Sequence, residues 1–316
     1  MVITPLSELL LSNNTLLSMW GALILHWLFP LQNSHFHPVT LWRHLAEVIS
    51  EKVNKTKHSA KQQQLSGTLA FAIIYLPAFA LLMLFTFAVA NPAITNTVLL
   101  WFALGWKPLY DQGNKLRLYL KHAKKPAARQ LLAKIVKRDT ATLSSIELAK
   151  LSSEMLLTGY TRSLINVLFF YAIAGGVGAM LYTLLMQLNR EWSPRLPAYK
   201  YFGKTVARAL MVIEWLPSRL FALLLSLGRD FPRSIKALRT QSYQSNAEFV
   251  WSAAGSKYQI ALGGSAIYDD ERLERSALGG ETLASATQFS HLSRALNQRS
   301  LAWIALQSLA MLAAFL

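Results

Sequence analysis

Gly67 to Ala90 reads GTLAFAIIYLPAFALLMLFTFAVA, with no charged residue in it. A helix needs about 20 mostly apolar residues to cross a bilayer, so this stretch predicts a membrane span. Asn91-Pro92 follows and predicts a tight turn. Ala93 to Trp106 is a shorter apolar run, ended by Lys107. The two runs together read as a membrane hairpin. Further out, Leu16 to Leu31 predicts a span that carries His26, and Ser163 to Met186 another. The latter contains Ala-Gly-Gly-Val-Gly-Ala, small residues that let a second helix approach closely, in the same chain or in a second copy. Val206 to Leu227 holds Arg208, Glu214, Pro217 and Arg219, which leaves it open between a span and a kinked interfacial helix. Leu301 to Leu316 is a short span or a docked apolar tail. The expected fold is all-α, one polytopic membrane domain over residues 1–316, with four to six spans and a basic, largely helical cytoplasmic portion.

Composition agrees. Of 316 residues, 53% are hydrophobic and 15% charged, against about 25% charged in a soluble domain. A disordered chain, a coiled coil and an ordinary soluble globule are excluded. The absence of cysteine excludes disulfides, thiolate metal sites and a Cys nucleophile. The net charge of +16 points to basic loops beside anionic lipid rather than to nucleic acid.

Loop charge sets the orientation. Between Lys107 and Lys150 eleven Lys and Arg face only Asp111, Asp139 and Glu147. This segment, Arg43 to Lys61 and the polar segment 229–300 are therefore placed in the cytoplasm. The N-terminus, the Asn91-Pro92 turn and Asn189 to Tyr201 fall outside. Met1 to Leu16 lacks the basic flank and small-residue cleavage site of a secretory signal and reads as mature chain. Asp111 to Tyr160 reads as helical, with Pro126 at a helix start. Ser245 to Gly280 reads as loop with short helices.

No Walker A loop, nucleophile elbow or His-Glu-x-x-His occurs. Gly263-Gly264 and Gly279-Gly280 suit ordinary turns, or backbone amides closing on a phosphate. Asp139 or Thr140 could cap a helix over Ala141 to Leu157. Arg138 with Asp139 and Glu154 could instead hold a phosphate and a Mg²⁺. His37 suits a proton carrier or a hydrogen-bonding residue at the membrane edge. Tyr268-Asp269-Asp270-Glu271 is an acidic cluster, or a solvated turn paired with Arg272 and Arg275.

These motifs, in order along nearly the whole chain, resemble the CobD/CbiB family, the adenosylcobinamide-phosphate synthases of cobalamin biosynthesis. His37-Pro38-Val39 is similar to the family's first motif. Ala128-Arg129 and Ile135-Val136-Lys137-Arg138-Asp139-Thr140 are similar to its A-R…I-V-G-R-D-T, and Glu154 falls at the first Glu beyond it. Tyr201-Phe202-Gly203, Ala207-Arg208 and Trp215 to Leu220 resemble the next block. Ser245-Asn246-Ala247, Leu262-Gly263-Gly264 and Tyr268 resemble the last. Four departures stand out. Phe29-Pro30-Leu31-Gln32-Asn33 lacks the family's acidic residue, and Lys137 replaces a glycine. Thr158 to Ser163 replaces E-N-T-V-D-G, and Leu210-Met211 replaces paired Asp.

The resemblance implies a multi-pass protein of the bacterial inner membrane. It implies ATP-dependent amide formation between the corrinoid adenosylcobyric acid and an aminopropanol phosphate. Arg138 and Arg219 would then bind anions, Asp139 and Glu154 would hold Mg²⁺, and Asn246, Gly263, Gly264 and Tyr268 would position substrate. His37 would move a proton. The lost carboxylates motivate the alternative, a non-catalytic scaffold or signalling protein like AmpE. Transport has little behind it, since no repeated halves are visible.

Overall fold

The computed structural model describes residues 14–30, 37–55, 57–268 and 271–314. The opening stretch 1–13, Leu31 to Phe36, Asp269, Asp270 and the side chain of Arg272 lie outside this set, and with them parts of the readings made there.

The helices in chain order are α1 (Asn14–Leu28), α2 (Pro38–Val53), α3 (Ala60–Val89), α4 (Pro92–Ala103), α5 (Trp106–Lys121), α6 (Lys125–Ala133), α7 (Ser145–Tyr160), α8 (Asn166–Glu191), α9 (Lys204–Ile213), α10 (Trp215–Ser226), α11 (Phe231–Thr240), α12 (Asn246–Tyr258) and α13 (Ala286–Ala313). A π turn, Thr161–Ile165, joins α7 to α8 without a break.

The central apolar run forms one helix, α3, long and apolar enough to cross a membrane. Ser59 and Gln62 form a capping box at its start, and Ala90 closes it in the left-handed conformation. Thirty residues rise roughly 45 Å, more than a bilayer core is thick. Only Gly67, Ala70 and Ile74 are buried in it, while Leu69, Ile73, Leu76, Leu84 and Phe87 are exposed. An apolar surface this long is untenable in water and suits lipid. At the turn, the Asn91 side chain accepts from the Ala93 and Ile94 amides, and Pro92 starts α4.

Helix α8 is the central pillar. Trp42 of α2 and Tyr75 of α3 donate to its Leu184 and Leu181 carbonyls. Trp192 just past its end donates back to Ala46, and Thr183 donates to Ala103 of α4. The small-residue stretch works as read. A Cβ on Gly176 would stand 2.8 Å from Leu99 Cβ, so α4 lies against bare backbone there. Gly175 adopts φ +59°, and the amide freed at this kink donates from Gly176 to Asn96 Oδ1 at 2.8 Å.

Among the described residues, fewer helices than the expected four to six spans have the length and apolar character of a span by themselves. Two helices among the described residues are long and apolar enough to cross a membrane, α3 and the continuous Ser145–Glu191; α9 and α10, bent by 53°, make a third if taken as one broken span. The run over 93–106 yields only twelve helical residues, and α1 only fifteen. Of the run over 301–316, residues 301–313 form the apolar end of α13, whose first half is polar, and Phe315 and Leu316 lie outside the described residues. Charge explains the bend: Glu214 sits at it and pairs with Arg162 of the π turn at 2.9 Å.

Two further expectations are corrected. The helix expected over Ala141 to Leu157 starts at Ser145, because Ser144 and Glu147 form the capping box. The stretch 245–280 is not loop with short helices. It holds α12 and four short strands, β1 (Ala261–Gly263), β2 (Ala266–Tyr268), β3 (Glu271–Leu273) and β4 (Ala277–Gly279). They form two antiparallel ribbons, β1 with β4 and β2 with β3. Pro126 stands in the first turn of α6, as expected.

Candidate functional site

The polar residues of the motifs collect where α7 meets the ribbons and the loop after α6. Glu147, Lys150 and Glu154 lie at helical spacing along one face of α7. Glu154 is buried, and both of its oxygens are engaged. Oε1 accepts from the Gly263 amide at 2.8 Å. Oε2 faces the Arg275 guanidinium at 3.4 Å, with both side chains about 2–3% exposed. Arg275 also donates to the Gly264 carbonyl at 2.9 Å and lies over the Trp251 ring of α12. The Trp251 indole donates to Thr158 of α7. A buried pair of opposite charges thus pins the ribbon to α7 and α12.

The glycines do not offer their amides to a ligand. Gly263 N–H serves Glu154, and Gly264 N–H donates to Ser276. Their φ values of +71° and +72° supply the reason for glycine, since other residues adopt that region at a cost. The turn reading therefore accounts for them without a phosphate.

Cations rim this floor. Lys150 Nζ stands 3.4 Å from where a Gly264 Cβ would be. Burial pushes its pKa down, the Glu154 carboxylate opposes this, and Arg138 and Arg275 add to it. Arg138 also acts on Glu147, whose carboxyl is held below its usual range, chiefly by accepting from the Ser144 backbone. The loop carrying Arg138 is tied down by its neighbours. The Asp139 amide donates to Ile267 of β2, and Asp139 Oδ1 accepts from Ala141. The Thr140 hydroxyl donates to Arg129, whose guanidinium donates to Leu143. Lys137, where the resembling motif has glycine, pairs with Glu191 at 3.2 Å and with Arg43 holds the end of α8.

Arg138, Asp139, Glu154, Gly263, Gly264 and Tyr268 are thus brought to one place, with Tyr268 buried in β2. A second pair lies at the start of α12. Arg219 donates to Asn246 Oδ1 at 3.2 Å and is sandwiched by Trp215 and Phe249. Asn246 donates to the Met211 carbonyl. From Asn246 to Trp251 is five residues, roughly 7.5 Å along α12, so one helix carries both groups. His37 stands apart. It caps α2, its Nδ1 accepting from Val39 at 3.2 Å, and packs edge-on against Phe102.

A Mg²⁺ held by Asp139 and Glu154 does not fit this arrangement. Glu154 is spent on a guanidinium and an amide, Asp139 caps its own turn, and among the described residues no three His, Cys, Asp or Glu gather to hold a metal. The donor set, Arg138 and Lys150 over an Arg275–Glu154 floor, suits an anion.

Arg275 and Lys150 were not singled out from sequence. The sequence reading pairs Arg275 with the acidic turn, whose Asp269 and Asp270 lie outside the described residues; among the described residues it faces Glu154, 121 residues away, with no local sign of that pairing. Lys150 was legible from its spacing with Glu147 and Glu154.

Comparison with known proteins follows the same residues. The family pattern described as CobD/Cbib protein matches residues 19–298. The chain is similar to the cobalamin biosynthesis protein CobD of Stutzerimonas stutzeri strain A1501, 29% identical over 89% of this chain and 92% of that protein. It is similar to the protein of the same name from Chromobacterium violaceum, 27% identical over 86% and 89%. A third, from Clostridium tetani, is 24% identical over 77% and 80%. No solved structure matches the chain.

Proposed function

This chain belongs to the CobD/Cbib family, and on that footing we propose that it acts in cobalamin biosynthesis as an amide-forming synthase. Its substrates are a corrinoid carboxylate, adenosylcobyric acid, and a phosphorylated amino alcohol, aminopropanol phosphate. The observation that carries the reading is the cationic rim of Arg138 and Lys150 above the buried Arg275–Glu154 pair. Both substrates, and the ATP that would drive the reaction, carry anionic carboxylate or phosphate groups, and a basic, partly dry site binds such groups strongly.

The role of ATP is to turn the corrinoid carboxylate oxygen into a leaving group. The chain's own residues do the positioning. Arg138 and Lys150 hold the phosphate of the amino alcohol or of the nucleotide. Arg275, fixed by Glu154, holds the ribbon so that the rim keeps its shape. Arg219, rigid between two aromatic rings, and Asn246 bind a carboxylate or amide edge of the corrinoid.

The chain lies in the bacterial inner membrane as a multi-pass protein, with segments 107–160 and 229–300 on the cytoplasmic side where these substrates are. Loop charge supports that placement.

The test is complementation. The gene is placed in a host that lacks its own family member and is given cobyric acid, and cobalamin-dependent growth is scored beside Asp139→Ala and Lys150→Met. Growth that Lys150→Met abolishes supports the synthase. Absence of growth, with the intact chain present in the membrane, would favour the non-catalytic AmpE-like reading.

A further inference from the structure

Helix α11 has two faces of different character. Its inner face is fastened to α12, with the Ser234 hydroxyl donating to the Ala253 carbonyl and Tyr243 reaching back to Ala237. At its end Gln241 exchanges hydrogen bonds with Gly279 and accepts from Ser252. Its outer face is Phe231, Pro232, Ile235, Lys236 and Arg239, which line a shallow groove with Thr240. Phe231, Ile235 and Arg239 follow at four-residue steps, so apolar and basic side chains share one side.

The outer face continues a lipid-type surface. On α10 the exposed apolar residues are Trp215, Leu216, Leu220 and Leu223, Leu227 just past its end is exposed too, and so is Phe231 at the start of α11. The corner between the two helices is rigid. Lys257 donates to the Leu225 and Leu227 carbonyls, and Arg299 donates to Leu227. Between Arg229 and Thr240 the charges are Arg229, Arg233, Lys236 and Arg239 against Asp230 alone. Arg233 is partly spent on Asp230 at 3.1 Å, while Arg229, Lys236 and Arg239 are exposed.

We propose that α11 lies in the surface of the bilayer and binds the headgroups of anionic phospholipid. Phe231, Pro232 and Ile235 enter the acyl boundary, and Arg229, Lys236 and Arg239 meet the phosphates. Two features select lipid over a protein partner: exposed apolar residues both on α11 and on the adjoining bent α9–α10 pair, and a charge opposite to that of the leaflet. The proposal rests on the inner-membrane placement given above.

The chain has no cysteine, so one introduced cysteine can carry a dye at a chosen place. Full-length chain with Ile235→Cys is labelled with an environment-sensitive dye and inserted in nanodiscs. Lys124→Cys serves as a water-exposed control and Leu76→Cys as a span control. Brominated phosphatidylglycerol is expected to quench the Ile235 dye about two-fold more than brominated phosphatidylcholine does. Iodide should reach this dye less than it reaches the dye at Lys124. Adding Lys236→Gln and Arg239→Gln should remove the phosphatidylglycerol preference while the Leu76 dye stays quenched. Thr240→Cys, which is exposed, replaces Ile235→Cys if the latter is not monodisperse. Equal iodide access at 235 and 124, or equal quenching by both bromolipids, would overturn the proposal. Loss of quenching at Leu76 would instead sink the membrane placement itself.

Discussion

The Glu154–Arg275 pair decides the site at the scale of single residues. Both side chains are almost fully removed from water, so each charge depends on the other. Glu154→Ala leaves a guanidinium buried without its partner, at a cost of about 3–5 kcal/mol. Arg275→Met added to it should recover most of that, since the remaining pocket is then apolar. Thermal unfolding of the four proteins in detergent measures the cycle, and additive losses would show that the pair is not coupled. His37 gives a pH signature. Burial lowers its pKa from the ordinary 6.5, and protonating Nδ1 destroys the acceptor that caps α2. A lowered histidine pKa means that its contribution is full above 6.5 and is lost as the pH falls below it. The melting temperature should therefore drop on mild acidification. His37→Asn keeps a capping side chain without a titrating group and should flatten that drop; an unchanged slope would assign the acid sensitivity elsewhere.

Among the elements, the contact of α4 with α8 carries the clearest test. Gly176 leaves 2.8 Å for a Cβ against Leu99, whereas Gly21 of α1 leaves 3.7 Å against Thr97. Gly176→Val should cost about 1–3 kcal/mol through overpacking, while Gly21→Ala should be neutral or stabilising, because helix propensity improves. Equal effects from both would mean that the close approach is not under pressure. This contact was legible in the Ala-Gly-Gly-Val-Gly-Ala stretch, because small residues mark where backbone meets backbone. Which helix would arrive there was not legible, since α4 follows from a fold that brings residues 96 and 176 together. The start of α7 was misplaced by four residues. Asp139 and Thr140 have capping chemistry, yet the Ser144–Glu147 box satisfies two backbone amides reciprocally and wins.

For the whole molecule, the placement of its basic segments makes a prediction of its own. With no native cysteine, Lys124→Cys and Ile94→Cys each report a single side. In intact cells an impermeant maleimide should label Ile94→Cys and spare Lys124→Cys, with the reverse in inverted vesicles. Labelling of both from one side would remove the proposed orientation. The bent α9–α10 pair shows why apolar length does not by itself give a straight span. Apolar length counts residues, but Glu214 needs Arg162 and Tyr182 as partners. A helix that carries a buried carboxylate bends to reach them.

The sequence by itself determined that the chain is helical, and that α3 is long and apolar enough to cross a bilayer, because uninterrupted apolar length and capping residues are local properties. It also marked Arg138, Asp139, Glu154 and the glycine pair as one group through their ordered motifs. The tertiary structure alone decided what that group is. Glu154 faces a guanidinium 121 residues away rather than a metal, and the glycine amides are consumed by Glu154 and Ser276. Pairing of buried charges and amides depends on which segments meet in space, and no spacing along the chain encodes that meeting.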